Sequence, residues 1–297
     1  MIFNNLQSEK PQVGRLEYWR AILKVNALNE EGTMTQLVMI TGASAGLGEQ
    51  LAYAFARRQM RLLLLGRDHQ RLAKVARQAA RLTTAPVAIL ATDLLNDNGR
   101  SAWRRCVARC GVPDILVNNA ALPGFGAIND LSLAEAQKVL QLNTAVPLTL
   151  SQLFIQAHYW TRRPSYLINL ASAGGELPLP YAAFHSASKA ALLGFARGSR
   201  FELQVTQIHL MTVIPSLLAT DHFQQQTAPY LKANPLIAQL LAHSQLDPAK
   251  VAKKIVTSAL RGQQILRLPL AYQWLAAFNR LAPRISRKII AQPYRTR

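Results

Sequence analysis

The sequence predicts an α/β fold: a single doubly wound, Rossmann-type domain whose parallel sheet of about seven strands carries helices on both faces. Three observations predict it. Leu37 to Arg57 reads LVMITGASAGLGEQLAYAFAR, an unbroken apolar run, then turn residues, then apolar residues at helical spacing. Short apolar runs go on alternating with helix-length segments to about residue 214, the pattern of βαβ units. The unusual polar residues fall where the runs end or on a helix beside them, and open parallel sheets bind ligands beyond those ends.

In order, Leu37 to Ile40 is the first strand, of the kind buried on both faces. The helix after it carries Leu47, Leu51, Ala54 and Phe55 on one side. Arg61 to Gly66 is the second strand and Asp68 to Leu82 a basic amphipathic helix that Asp68 caps. Pro86 to Ala91 is the third strand, Asp97 to Cys110 a helix, and Asp114 to Val117 the fourth strand. Leu131 to Tyr159 forms one long helix that Pro147 is placed to kink. Ser165 to Leu170 is the fifth strand, Phe184 to Leu203 a helix and Gln207 to Ile214 the sixth strand.

These elements give three regions: an N-terminal extension, 1–35; the domain, 36–269; and a basic C-terminal extension, 270–297. The first is either an arm that packs elsewhere or a stretch ahead of a true start at Met34. With 50% hydrophobic and 16% charged residues, the 297-residue chain reads as folded. No apolar run is long enough to span a membrane, and Met1 to Gln12 lacks the core of a secretion signal, so a cytoplasmic protein is expected. Cys106 and Cys110, the two cysteines, read as small reduced residues on one helix, with no further thiol to complete a metal site.

The net charge of +19 is unevenly spread. Eleven of the 34 basic residues follow Asp247, the last acidic residue; the other 23 stand against 15 acidic ones. No base-reading motif accompanies this charge, so nucleic-acid binding is not expected.

Glycines at 42, 46 and 48 suit a chain that bends sharply and lets a pyrophosphate approach its backbone, with a helix N-terminus facing the phosphates. TGASAGLG, at 41 to 48, resembles the TGxxxGxG turn of the short-chain dehydrogenase/reductase family. Further matches follow in order: Asp93-Leu94, NNAA at 118 to 121, Asn143, Ser172, Lys189, and Pro215 with Thr220. The resemblance covers about residues 36 to 268, and Asp247 to Pro269 looks like the family's final helix and last strand. It implies that Gly42, Ser44, Gly46, Leu47 and Gly48 seat the diphosphate and that Asp93 and Leu94 flank the adenine. Asn118 and Ala120 would line the ribose and steady the central strand, and Pro215 and Thr220 would lie at the nicotinamide. The family's NNAG is NNAA here and its Pro-Gly is Pro215-Ser216, each adding a Cβ near the cofactor.

An NAD site usually ends its second strand in a carboxylate for the ribose hydroxyls, whereas a 2′-phosphate needs a cation there. Gly66 ends the strand and Arg67 follows, so NADP(H) is expected in preference to NAD(H).

The resemblance also implies the chemistry. In the family a tyrosine, four residues before a lysine on one helix, exchanges a proton with the substrate oxygen. The lysine lowers the tyrosine pKa and holds the ribose. A serine thirteen residues before the tyrosine binds the oxygen, and an asparagine on the preceding long helix supports a water chain. Lys189, Ser172 and Asn143 match, but counting from either Lys189 or Ser172 puts His185 where the tyrosine belongs. The nearest phenol, Tyr181, falls in the loop over the substrate. An imidazole, with an unperturbed pKa of about 6.5, can shuttle a proton, and Lys189 nearby would keep it neutral. It is shorter than a phenol by roughly an ångström or more, which calls for a bridging water.

Two readings therefore stand: an NADP(H)-dependent oxidoreductase acting on an apolar carbonyl or alcohol, or an NADP(H)-binding protein with lost or weak catalysis. A homodimer or homotetramer is implied by the resemblance. The tail, with Leu275, Phe278 and Leu281 near Tyr272 and Trp274 and with Arg280, Arg284, Arg287 and Lys288 flanking them, suits either an anionic membrane surface or a lid or dimer contact.

Overall fold

The computed structural model describes residues 35–177, 181–216, 246–269 and 272–285. Seven strands form one sheet in the order β3-β2-β1-β4-β5-β6-β7. They are β1 (Leu37–Thr41), β2 (Arg61–Gly66), β3 (Val87–Ala91), β4 (Ile115–Asn118), β5 (Ser165–Leu170), β6 (Ile208–Pro215) and β7 (Ile265–Leu268). Every pairing is parallel. The order reverses between β1 and β4, and a crevice opens there at the carboxyl ends of the strands.

β1 is buried throughout, which explains its lack of alternation: Val38 and Ile40 face one helical layer, Leu37 and Met39 the other. The first layer consists of α1 (Gly46–Ala56), α2 (His69–Ala80) and α7 (Pro248–Leu260), which contribute Leu51, Phe55, Leu72 and Ile255 to the core. The second consists of α3 (Arg100–Cys110), α5 (Val146–His158) and α6 (Ala183–Leu203), with Trp103, Leu150, Phe154 and Ala196. Full burial of a side chain such as Leu51 or Phe55 contributes about 1.5–3 kcal/mol. Beyond β7 lies α8 (Tyr272–Leu281). Cys106 is buried on α3 with Cys110 half-buried beside it, both free thiols.

One boundary departs from the sequence expectation by about a turn. The helix expected from Asp97 begins at Arg100, because Asp97 and Asn98 adopt left-handed conformations (φ 54° and 53°) in a 3-10 turn. Short polar side chains tolerate that region, and Asp97 Oδ2 instead accepts the Ser101 N–H at 2.7 Å. The long helix expected from Leu131 to Tyr159 forms as α4 (Leu133–Leu140), which passes through a π turn, Gln141–Ala145, into α5. Proline lacks an N–H and crowds the carbonyl four residues back, here that of Asn143. The chain widens into a π turn one step ahead of Pro147 and continues without a break, a site where π turns often serve function.

Candidate active site

At the β1–α1 turn, Gly42 and Gly46 have φ of +66° and +59°, conformations that side chains disfavour. Gly48 serves a separate purpose, close helix-to-turn packing, since a Cβ there would run into the Gly42 carbonyl oxygen. Asn119 pins the bend, its Nδ2 donating to the carbonyls of Thr41 (2.9 Å) and Gly42 (3.1 Å). α1 starts at Ala45, whose side chain caps nothing, so its first N–H groups remain available to an anion.

A cleft of about 650 Å³ opens in front of this turn. Gly42, Ser44, Gly46 and Leu47 form its floor, with Arg67 at the end of β2 and Asp93, Leu94 and Ala120 around it. Asp68 caps α2 as expected, accepting the Arg71 N–H at 3.0 Å, and its carboxylate also pairs with the Arg71 guanidinium at 3.3 Å. Gly48 underlies the cleft without lining it. Asn118 is turned away from it into the interior, where its Nδ2 donates to Asn169 Oδ1 (2.8 Å) and Ser151 Oγ (3.1 Å), tying β4 to β5 and α5. Pro215 ends β6 and is buried; Thr220 lies outside the described residues.

A second group lies along α6 and the ends of β4 and β5. Lys189 is buried, and its Nζ donates to the Leu170 carbonyl at 2.8 Å; burial lowers its pKa from 10.5 to about 8. Ser172, just past β5, opens a 3-10 turn and accepts the Gly174 N–H at 3.2 Å. The next residue of that turn, Gly175, packs on α6 so closely that a Cβ would lie 2.9 Å from the Lys189 carbonyl carbon. Asn143, fully buried in the π turn, accepts the Leu122 N–H (2.7 Å) and donates to the Leu122 carbonyl (2.8 Å) and to Ser188 Oγ (3.1 Å). Ser188 in turn donates to the His185 carbonyl at 2.7 Å.

His185 occupies the first turn of α6, stacked on Phe125 with centroids 5.6 Å apart and planes 19° apart. Burial first and the Lys189 ammonium second push its pKa down to about 4, against a smaller opposing pull from the Leu122 and Pro123 backbone. Its Nδ1 is buried and has no hydrogen-bond partner among the described residues. The ring is therefore neutral at pH 7, able to accept at one nitrogen and donate from the other. Tyr181 lies in the turn ahead of α6, where its carbonyl accepts the Gly126 N–H at 2.8 Å.

Sequence reasoning does not single out Arg71 and Asn119 in the cleft, Phe125 against the ring, or Gly175 behind Ser172. Arg71 has one available signal, standing four residues beyond Arg67 at the start of a helix. Phe125 and Gly175 have none, because both act through contacts distant in the chain.

The family model described as short chain dehydrogenase matches residues 36–230. The 11-beta-hydroxysteroid dehydrogenase-like 3 of Arabidopsis thaliana is 28% identical over 260 residues, covering 87% of this chain and 81% of that one. Dehydrogenase/reductase SDR family member 7C of Xenopus tropicalis is 25% identical over 247 residues, covering 81% and 78%. Two solved structures share the fold. The short-chain dehydrogenase from Sphingobium yanoikuyae in complex with NADPH has a TM-score of 0.68 at 23% identity, over 84% of this chain and 95% of that one. The short chain dehydrogenase/reductase from Burkholderia phymatum in complex with NAD has a TM-score of 0.74 at 18% identity, over 85% and 95%.

Proposed function

This chain belongs to the short-chain dehydrogenase/reductase family, and from that membership we propose an NADP(H)-dependent oxidoreductase that moves hydride between the nicotinamide and an apolar carbonyl or alcohol. The observation that carries the reading is the buried Lys189, with His185 one helical turn before it and the turn that Ser172 opens packed on its backbone, in a sheet whose β1–α1 turn floors a cleft with glycine and leaves a helix N-terminus uncapped. Relatives named as 11-beta-hydroxysteroid dehydrogenases support an apolar alcohol or ketone as the substrate class.

The cleft suits a dinucleotide. Gly42 and Gly46 keep its floor free of side chains where a diphosphate would lie, and the N–H groups at the start of α1 would hold it. Asp93 and Leu94 would flank the adenine. Gly66 presents no carboxylate, and Asp68 is occupied by Arg71, which leaves Arg67 to take a 2′-phosphate in its planar fork. That favours NADP(H) over NAD(H). The bound nicotinamide supplies or accepts the hydride.

The chain's own groups manage the oxygen and the proton. Ser172 Oγ would donate to the substrate oxygen. Lys189, anchored by the Leu170 carbonyl, would hold the nicotinamide ribose and keep positive potential at the site. His185, neutral and braced by Phe125, would pass a proton to that oxygen directly or through one water. Asn143 would hold the Leu122 backbone in place along the path of that water.

One observation favours the second reading, an NADP(H)-binding protein with weak or lost catalysis: a ring whose pKa lies at about 4 is a poor store of a proton at neutral pH. The same proposal has the protein cytoplasmic, a homodimer or homotetramer, and peripheral to a membrane. The test is NADPH oxidation across a panel of apolar ketones and aldehydes, by wild type and Lys189→Met. Turnover lost in the variant supports the oxidoreductase, and nucleotide binding with no turnover supports the second reading.

A further inference from the structure

α8 is tied to the domain along one side. Asn279 Nδ2 donates to the Glu176 carbonyl at 3.4 Å. The Glu176 carboxylate is held by Arg267 of β7 through Nε at 3.0 Å and Nη2 at 2.7 Å. Another side faces out, with Trp274 81%, Phe278 40%, Leu281 87% and Ile285 55% exposed. These positions recur at i, i+4, i+7 and i+11, one stripe along the helix and the turn that follows it. Of the apolar face expected from the sequence, Phe278, Leu281 and the neighbouring Trp274 belong to this stripe, and the side chains of Tyr272 and Leu275 lie outside what the structure describes.

Covering such side chains is worth about 1.5–3 kcal/mol each, so a continuous exposed row of four marks a contact surface. The charge of this end of the sequence identifies the partner. No Asp or Glu follows Asp247, while Arg280, Arg284, Arg287, Lys288, Arg295 and Arg297 lie in or beyond the helix. Two copies meeting through this stripe would bring cations against cations. An anionic lipid surface offers an apolar interior under a layer of negative charge, with about 1 kcal/mol of attraction for each Lys or Arg near it. Among the described residues no helix is long and apolar enough to cross a membrane, so the geometry is that of a helix lying in the interface.

We propose that the Trp274, Phe278, Leu281 and Ile285 stripe docks this protein on an anionic membrane, with α8 in the plane of the headgroups and apolar substrate reaching the site from the lipid. This rests on, and makes specific, the peripheral oxidoreductase reading above. Because α8 is bound to Glu176, four residues past Ser172, docking brings the lipid surface to the loop that carries Ser172.

The test uses the full chain, wild type and the double variant Trp274→Glu, Leu281→Glu, whose two sites are exposed. Both are co-sedimented with vesicles of phosphatidylcholine alone and of phosphatidylcholine mixed with phosphatidylserine. Wild type is expected to bind the mixed vesicles roughly tenfold or more tightly than the neutral ones, with binding weakened by salt, and the variant to lose roughly that factor. Wild type left in the supernatant, or equal binding by the variant, overturns the proposal. So does a variant that converts a dimer to a monomer in sedimentation velocity when wild type shows no vesicle binding. NADPH titration of the same samples separates the two readings. Normal nucleotide binding without docking removes the membrane proposal alone, whereas docking without nucleotide binding removes the oxidoreductase.

Discussion

The imidazole of His185 lies stacked on the ring of Phe125, centroids 5.6 Å apart, at the helical position four residues before the buried Lys189. The stack fixes the ring's plane, and Lys189 helps fix its charge. His185→Tyr would restore a longer acid whose pKa a nearby ammonium can lower. Steady-state NADPH oxidation is expected to be retained or raised in His185→Tyr and to fall about 100-fold or more in His185→Phe. Equal rates for wild type and His185→Phe would remove the residue from the chemistry.

Stability should report the same ring. Its folded pKa of about 4 lies below the usual 6.5, so between those values the unfolded chain binds the extra proton. Stability therefore rises with pH across that window and is lost as pH falls through it. His158, also lowered by burial, contributes in the same direction. Denaturant titrations of His185→Phe at pH 7 and pH 4.5 should show a smaller acid loss than wild type, by roughly 2–3 kcal/mol. Identical slopes would show that the ring is not buried neutral.

Lys189 carries the opposite end of the pH range. Its folded pKa of about 8 is depressed from 10.5, so the unfolded chain again holds the extra proton between them, and this group's contribution to stability rises from pH 8 to 10.5. Turnover in the direction of carbonyl reduction is expected to fall over the same span as the ammonium is lost. Lys189→Met should flatten the stability profile there, measured by chemical denaturation at pH 8 and pH 10.

Gly48→Ala puts a Cβ on the Gly42 carbonyl oxygen. The turn must shift, at a cost of about 1–3 kcal/mol, and the diphosphate seat shifts with it. Thermal unfolding and NADPH titration of this variant should both move, whereas Gly194→Ala, with open space around its Cβ position, should leave nucleotide binding unchanged.

Arg67→Ala should weaken NADPH binding by about 10–100-fold, the worth of one or two charge-assisted hydrogen bonds, while NADH affinity changes little. Equal losses for both nucleotides in calorimetry would move the 2′-phosphate contact elsewhere, with Arg71 the next residue to test.

Much of this site can be read from local chemistry. β2 is a run of apolar residues buried on both faces, closed by Gly66, and Asp68 caps the next helix through an interaction three residues long. Contacts between distant segments are what the sequence hides. Asn143 sits in a π turn because Pro147 follows it and because Leu122, 21 residues away, takes both ends of its amide. Asn119 pins a turn 77 residues earlier. The family pattern places Asn118 along the ribose and at the central strand; in the fold its amide ties β4 to β5 and α5, which steadies that strand. On α8 the helical period is visible in the sequence. Which side faces outward is set by Asn279 meeting the Glu176 carbonyl, so the outer stripe runs through Trp274 and Ile285. Thr220 falls outside the described residues.

The oxidoreductase assignment depends on the glycine-floored cleft holding a pyridine nucleotide. Isothermal titration of the full chain with NADPH and with NADH tests it most directly. Saturable binding in the micromolar range, tighter for NADPH, is the predicted result; no heat from either nucleotide at millimolar concentration would contradict it.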